Sequence, residues 1–170
     1  IANVFSIFAK IPVTRLIPID VNKEINESIE TFKHSTNTTI DFKNLTGIDL
    51  LIILGDRDQA LRAFNNLLKN AIEATSVKRK HQISIRIEKI DVDWIKISVK
   101  DNGDGIPHEL RSNIFKPNFT TKSSGTGLGL AFVKQTVDAM GGRIYYESHI
   151  NVGTTFFIEL PIYKENKTLQ

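Results

Sequence analysis

Three groups of residues in this 170-residue chain have types and spacing that suit one piece of chemistry. The first is Asn66-Leu-Leu-Lys-Asn70-Ala-Ile-Glu73-Ala. On a helix, Asn66, Asn70 and Glu73 fall along one stripe, while Phe64, Leu68, Ala71 and Thr75, with Leu61, form the opposite, core face. A polar stripe of this kind is ordinarily the wet side of an amphipathic helix. Composition argues otherwise, because asparagine is a poor helix former and a wet face is better built from Lys or Glu. Amide oxygens at i and i+4 can point together at an oxygen-loving cation such as Mg²⁺. The second group is Asp101-Asn-Gly103-Asp-Gly105-Ile106. Asp101 shares the parity of Ile95, Ile97 and Val99, so if those face a core the carboxylate does too, and it needs a donor from backbone or ligand. A turn with a self-satisfied Asp is the alternative. The two glycines let another group approach the backbone closely. The third group, Lys122-Ser-Ser-Gly125-Thr126-Gly127-Leu128-Gly129-Leu130, runs straight into a helix. A glycine-rich loop feeding a helix N-terminus presents free N–H groups and the positive end of a dipole, which suits an anion or phosphate. A merely flexible connection is the alternative. Lys122 and the Thr120-Thr121 pair add phosphate-compatible groups. Thr154 shares parity with Phe156, Ile158 and Leu160, so its hydroxyl points to the same interior as Asp101. An adenine nucleotide with Mg²⁺ has the three matching features in one molecule.

The elements that must position these groups follow from periodicity. Residues 1–11 put Ile1, Val4, Phe5, Phe8 and Ile11 at helical spacing until Pro12 ends the pattern. A loop with Pro12 and Pro18 follows. Asp20 is a suitable N-cap for a helix carrying Val21, Ile25, Ile29 and Phe32. Residues 39–45 and 49–54 read as strands joined by a turn at Thr46-Gly47. Asp56 caps a long helix reaching about Thr75. The alternation of Ile83, Ile85 and Ile87, and of Ile95, Ile97 and Val99, predicts two half-buried strands joined near Asp91 to Asp93. Residues 102–127 have little periodicity, and a loop of that length inside a domain is usually functional. A helix from about Gly127 to Met140 stops at Gly141-Gly142. Strands over 143–149 and 154–161 close the domain, and a polar tail from Lys164 is expected to fray. Trp94 and the phenylalanines fall at strand or helix periods and read as core. This order predicts an α+β fold, with one mixed, mostly antiparallel sheet and helices on one face.

Composition narrows the field. The 22 Lys plus Arg against 19 Asp plus Glu give +3 and a pI near 9.1, with 41% hydrophobic and 24% charged residues. The length suits one domain, commonly about 100–150 residues. Zero cysteine excludes a disulfide scaffold, a cysteine zinc site and a thiol nucleophile, and fits a reducing compartment. No run approaches the roughly 20 apolar residues of a membrane span, and no signal peptide opens the chain. Met140 is the only methionine, so residue 1 is not expected to be a translation start, and a piece of a longer or processed protein is expected. The cations are scattered, which argues against a nucleic-acid partner. The densest run, Lys78-Arg79-Lys80, reads as a solvated helix terminus meeting the helix dipole. His34, His81, His108 and His149 lack metal-ligand spacing and read as surface or structural. No G-x-S-x-G elbow and no H-R-D or D-F-G signature is present.

The ordered set Asn66-x-x-x-Asn70-Ala, Asp101-x-Gly103-x-Gly105, Phe115-x-Pro117-x-Phe119-Thr-Thr-Lys122 and Gly125-x-Gly127-Leu-Gly129-Leu130 resembles the N, G1, F and G2 boxes of sensor histidine kinases. These belong to the superfamily that includes gyrase, Hsp90 and MutL. The Thr-Thr-Lys wording is most similar to nitrogen-regulation-type sensor kinases, and the match runs over about residues 20–161. The resemblance implies a Bergerat-type α/β sandwich, with ATP between the helices under a mobile lid at roughly 115–127. It implies that Asn70 ligates Mg²⁺ and that Asp101 accepts from the adenine amine, with Gly103, Gly105 and Ile106 shaping that pocket. Gly125, Gly127 and Gly129 would hold lid and phosphates, with Glu73, Phe115, Thr121, Thr126, Leu128 and Leu130 around the nucleotide. Lys122 would face the γ-phosphate, and Thr154 would meet the adenine through water. Asn66 would be catalytic with Lys122. Hydrolytic members carry Glu at that position, and a neutral amide is a poor general base, which favours transfer to a protein side chain over an ATP hydrolase or clamp. An anti-sigma-type Ser kinase is a nearer alternative and would lack a helix at residues 1–11. Asn118 stands where the family often has an aromatic.

The implied activity is that of a protein histidine kinase whose phosphoacceptor His lies on an upstream dimerisation domain outside this sequence. Residues 1–12 would be the end of that domain's helix, 13–163 the ATP-binding catalytic domain, and 164–170 a polar tail. The implied partners are the dimerisation and phosphoacceptor domain, a response regulator receiver domain, and a second copy in a homodimeric parent, with no nucleic acid. The domain would be cytoplasmic, in a parent that can be anchored in the inner, cytoplasmic membrane.

Overall fold

A computed structural model describes residues 15–35, 37–74, 79–120 and 126–165. The helix expected over 1–11, Thr75, Lys78, Thr121, Lys122, Gly125 and the last five residues of the tail lie outside the described residues. The described elements follow as β1 (Ile17–Asp20), α1 (Val21–Phe32), β2 (Thr38–Asn44), β3 (Ile52–Gly55), α2 (Arg57–Glu73), β4 (His81–Lys89), β5 (Trp94–Asp101), α3 (Gly129–Ala139), β6 (Arg143–His149) and β7 (Gly153–Pro161). A 3₁₀ turn at His108–Leu110 interrupts the long connection between β5 and α3.

Five strands form one sheet in the order β2-β4-β5-β7-β6, antiparallel except for β2 beside β4. One face of it is apolar because the alternation seen in the sequence is kept in register: Ile85 opposes Val99, and Ile97 opposes Ile158. These side chains are buried together with Ile25 of α1, Leu67 and Leu68 of α2, and Val133 and Val137 of α3. Each fully buried Ile or Leu contributes about 1.5–3 kcal/mol relative to exposure. The helices stop and start where the sequence has cap residues. Asp20 accepts from the Asn22 N–H at 3.1 Å, and Asp56 accepts from the Gln59 N–H at 3.1 Å. At the other end of α3, the Gly142 N–H reaches Val137 O and the Gly141 N–H reaches Asp138 O, both at 3.0 Å, which closes the helix as a Schellman motif.

Several expectations are corrected. Thr46-Gly47 does turn the chain: the Thr46 N–H and hydroxyl donate to Asn44 Oδ1 at 2.9 and 2.6 Å. The flanking strands are nevertheless not a hairpin. β2 lies parallel to β4, whereas β3 pairs with β1 in a separate two-stranded ribbon. β1 was expected to be loop because of Pro18, but both strands of such a ribbon are edges, where proline is tolerated. Helix α2 ends at Glu73 with Ala74 as cap, so Arg79-Lys80 lies beyond it. Arg79 Nη1 donates to Asn102 O at 2.9 Å, which ties the start of β4 to the end of β5. Leu61 is only half-buried; Ala60 and Leu67 join the core face in its place. Trp94 and Phe157 fall on the outer face, because Ile95 and Ile158 beside them take the inner positions. There Phe157 stacks on Tyr145 with centroids 5.0 Å apart. Lys164, expected in the frayed tail, bonds Asp93 Oδ1 at 2.5 Å.

Glu24 of α1 is buried, 2% exposed, against the start of α2. Arg57 Nε donates to its Oε1 at 3.2 Å, and its Oε2 has no partner among the described residues. Burial raises its carboxyl above the ordinary 4.5, while the Arg57 charge works in the opposite direction. The folded chain therefore keeps a proton on Glu24 at pH values where the unfolded chain has lost it, and this group's contribution to stability falls as pH rises through that window. Glu24→Gln is expected to remove that slope while changing stability near neutrality by less than about 1 kcal/mol. Urea midpoints from pH 4 to 8 check this, and an unchanged slope would count against it.

Candidate functional site

The polar stripe of α2 opens onto a cavity of about 450 Å³, within the usual range of roughly 300–1,000 Å³ for small-molecule sites. Asn66, Asn70 and Glu73 line one wall, with Lys69 beside them. Asn66 is oriented by donating from Nδ2 to Arg62 O at 3.0 Å, one turn back. Lys69 lies 3.8 Å from Glu73 Oε1.

Asp101, at the end of β5, forms the inner end of the cavity and is 3% exposed. The inward parity expected for it and for Thr154 is observed, and both are buried. Asp101 Oδ1 accepts from the Gly103 N–H at 2.8 Å and from the Thr154 N–H at 3.1 Å. Burial raises the Asp101 carboxyl, these two N–H groups hold it back, and the charge of Asp104 pushes it further up. The two N–H bonds converge on one oxygen, so the side chain is fixed without an ion pair.

Gly105, Ile106, Pro107, Leu110, Ile114 and Phe119 form the wall contributed by the long connection. Gly127 has φ +69, and a Cβ there would stand 2.6 Å from the Asn118 carbonyl carbon. The backbone at Gly127 therefore passes close to that of Asn118 and Phe119, where only glycine fits. Asn118, the departure from the family's aromatic, is itself left-handed at φ 62, a conformation asparagine tolerates.

Thr126, Gly127, Gly129 and Leu130 bring the start of α3 to the opposite wall. Helices α1 and α2 have aspartate caps, but Leu128 gives α3 no side-chain cap. The free N–H groups of this first turn are suited to an anion. Gly129 packs tightly there, since a Cβ would meet Asn66 Oδ1 at 3.0 Å.

The structure thus gathers Asn66, Asn70, Glu73, Asp101, Gly105, Ile106, Thr126, Gly127, Gly129, Leu130 and Thr154 around one space. Three expected residues do not line it. Gly103 sits behind, where a Cβ would meet Ala74 O at 2.6 Å. Leu128 precedes the first turn of α3 as its cap residue. Phe115 packs edge-on to Tyr146 and Phe156, with centroids 6.0 and 6.3 Å away. Thr121, Lys122 and Gly125 lie outside the described residues. His81, read as structural, is buried with Nδ1 2.6 Å from Ile72 O. Reasoning from sequence missed Lys69, Asp104, Leu110, Ile114 and Phe119. Lys69 was legible as a neighbour on the stripe, while the others sit in aperiodic chain.

Residues 55–164 match the family model described as histidine kinase-, DNA gyrase B-, and HSP90-like ATPase. The chain belongs to this family. Its sensory histidine kinase/phosphatase relative NtrB from Azospirillum brasilense is 40% identical over 125 residues, covering 66% of this chain and 31% of NtrB. The solved catalytic domain of histidine kinase ThkA is 33% identical with a TM-score of 0.74, over 86% of this chain and 97% of that one. A crystal structure of ThkA in complex with the response regulator protein TrrA superposes with a TM-score of 0.74 at 29% identity, over 92% of this chain and 45% of that one. The expected Bergerat-type α/β sandwich is the fold observed, and the chain is an ATP-binding domain of the histidine-kinase type. It spans less than a third of the NtrB length. Among the described residues, no helix is long and apolar enough to cross a membrane.

Proposed function

We propose that this domain binds Mg-ATP in the cavity and, within a longer parent, presents the γ-phosphate to a histidine on a dimerisation domain. The observation that supports this most is the convergence of the α2 stripe, the buried Asp101 and the uncapped start of α3 on one space. Asp101 is an acceptor for the adenine 6-amino group, with Thr154 beside it. The free N–H groups of α3, with Thr126 and Gly127, face the phosphates. Lys122 is proposed as a γ-phosphate contact.

The described residues contain no cluster of three His, Cys, Asp or Glu fit to hold a metal alone. The oxygen donors Asn66, Asn70 and Glu73 on one wall are hard ligands that would fit a Mg²⁺ accompanying the nucleotide, with Asn70 as the residue that would hold it. When bound, Mg²⁺ supplies charge neutralisation for the transferring phosphoryl group. Asn66 can orient groups beside it but cannot take a proton from water near neutral pH, so the cavity suits positioning for transfer rather than hydrolysis. Residues 1–12 are proposed as the end of the dimerisation helix, with 13–163 the catalytic domain and 164–170 a polar tail. A second copy of the parent, its phosphoacceptor domain and a response regulator receiver domain are the proposed partners, in a cytoplasmic setting.

The chain is expected to bind Mg-ATP, to take no acid-labile label from γ-labelled ATP, and to release phosphate no faster than the uncatalysed background. Label on the purified chain would overturn the division of labour. Steady phosphate release would favour a hydrolase.

A further inference from the structure

Two side chains outside the cavity clamp the peptide of Ile106, one of the residues that line it. The Ile106 N–H donates to Ser148 Oγ at 2.7 Å. The Ile106 carbonyl accepts from Arg111 Nε at 3.1 Å. The same guanidinium reaches Ser148 O through Nη2 at 2.8 Å, so it bridges the long connection to the end of β6. The Tyr146 hydroxyl returns a bond to Arg111 O at 3.0 Å. Ser148 is 6% exposed, and its hydroxyl also shares a hydrogen bond with Thr154 Oγ1 at 2.9 Å. Thr154 donates its N–H to Asp101. A continuous chain of bonds thus runs from Asp101 through Thr154 and Ser148 to Ile106 and Arg111. Arg111 and Ser148 themselves do not line the cavity.

A guanidinium spent on two backbone carbonyls, rather than on a carboxylate, holds geometry and not charge. Its fork has donors in two fixed directions, which a lysine cannot reproduce. Both polar groups of Ile106 are held by side chains from different elements, so its position against Asp101 is set from outside the site. Displacements of about half an ångström are enough to spoil a binding constellation.

We propose that Arg111 and Ser148 are positioning residues that set base selectivity, holding Ile106 so that the cavity discriminates 6-amino from 6-oxo purine nucleotides. This rests on the nucleotide reading given above. Ser148→Ala leaves the Ile106 N–H without its acceptor, and Arg111→Met frees the Ile106 and Ser148 carbonyls while keeping the unbranched stem of the side chain.

The test measures Mg-ADP and Mg-GDP affinities by calorimetry for wild type and both variants, together with urea midpoints. Each variant is expected to lower the ADP-over-GDP preference about tenfold, chiefly by weakening ADP, since phosphate contacts are common to both. Ser148→Ala changes little volume and keeps the test valid should Arg111→Met fail to fold. A preference unchanged in the folded variants, even with lowered urea midpoints, would assign these residues to stability alone and overturn the inference. Wild type that binds neither nucleotide would overturn the nucleotide reading itself, and the inference with it.

Discussion

Asp101→Asn is expected to weaken Mg-ADP binding by about 1.5–3 kcal/mol, roughly a ten- to hundredfold rise in Kd. The substitution keeps one oxygen, which can go on accepting from the Gly103 and Thr154 N–H groups at 2.8 and 3.1 Å. The new amide nitrogen then takes the place of the second carboxylate oxygen and meets the adenine amine donor to donor. Because the backbone bonds survive and a buried charge is removed, the fold should hold, and the loss reads out binding rather than unfolding. A pH profile sharpens the test. Burial, with Asp104 adding to it, raises the Asp101 carboxyl above its ordinary 3.8. A protonated Asp101 accepts less well, so wild-type affinity should fall as pH drops through this raised value, sooner than for an exposed aspartate. Asp101→Asn should lack that acid limb. Calorimetry at neutral and acidic pH measures both, and equal affinity of the two proteins at pH 7 would remove Asp101 from the site.

Gly153→Ala is expected to cost about 3 kcal/mol of stability, from backbone strain and overpacking together. Gly153 has φ +134, and a Cβ there would drive into the Asp101 carbonyl, 2.9 Å from its carbon and closer still to its oxygen. The residue begins β7 opposite His149, directly before the Thr154 N–H that holds Asp101. Relief of the clash must therefore move either the end of β5 or the start of β7, and nucleotide affinity should fall with stability. A domain holding roughly 5–15 kcal/mol survives such a loss at low temperature, so urea unfolding can quantify it. A change below about 1 kcal/mol would show that the close approach of β5 and β7 is not required.

Much of the site could be read from local periods. Alternation along β5 put Asp101 on the face of Ile97 and Val99, and alternation along β7 did the same for Thr154, because a strand fixes side-chain direction residue by residue. The helical period likewise placed Asn66, Asn70 and Glu73 on one stripe. Ser148 was equally accessible, since it shares parity with Ile144 and Tyr146 on β6, but a lone serine carried no chemical signal until its partners were known. Arg111, Leu110, Ile114 and Phe119 belong to aperiodic chain, where nothing local specifies direction. The partnering of β3 with β1, and of β2 with β4, depends on residues far apart in sequence. The Thr46-Gly47 turn was visible as a turn, yet its local bonds say nothing about which strand pairs with which.

One adenine nucleotide is proposed to occupy the space between the α2 stripe and Asp101. Titrating Mg-ADP into the ¹⁵N-labelled chain tests it most directly. Saturable shifts are expected, at one equivalent, in the amide signals of Gly103, Ile106, Gly129 and Thr154, with the outer-face amides of Lys96 and Tyr145 unmoved. Absence of shifts at those four amides, or shifts confined to the outer face of the sheet, would contradict it.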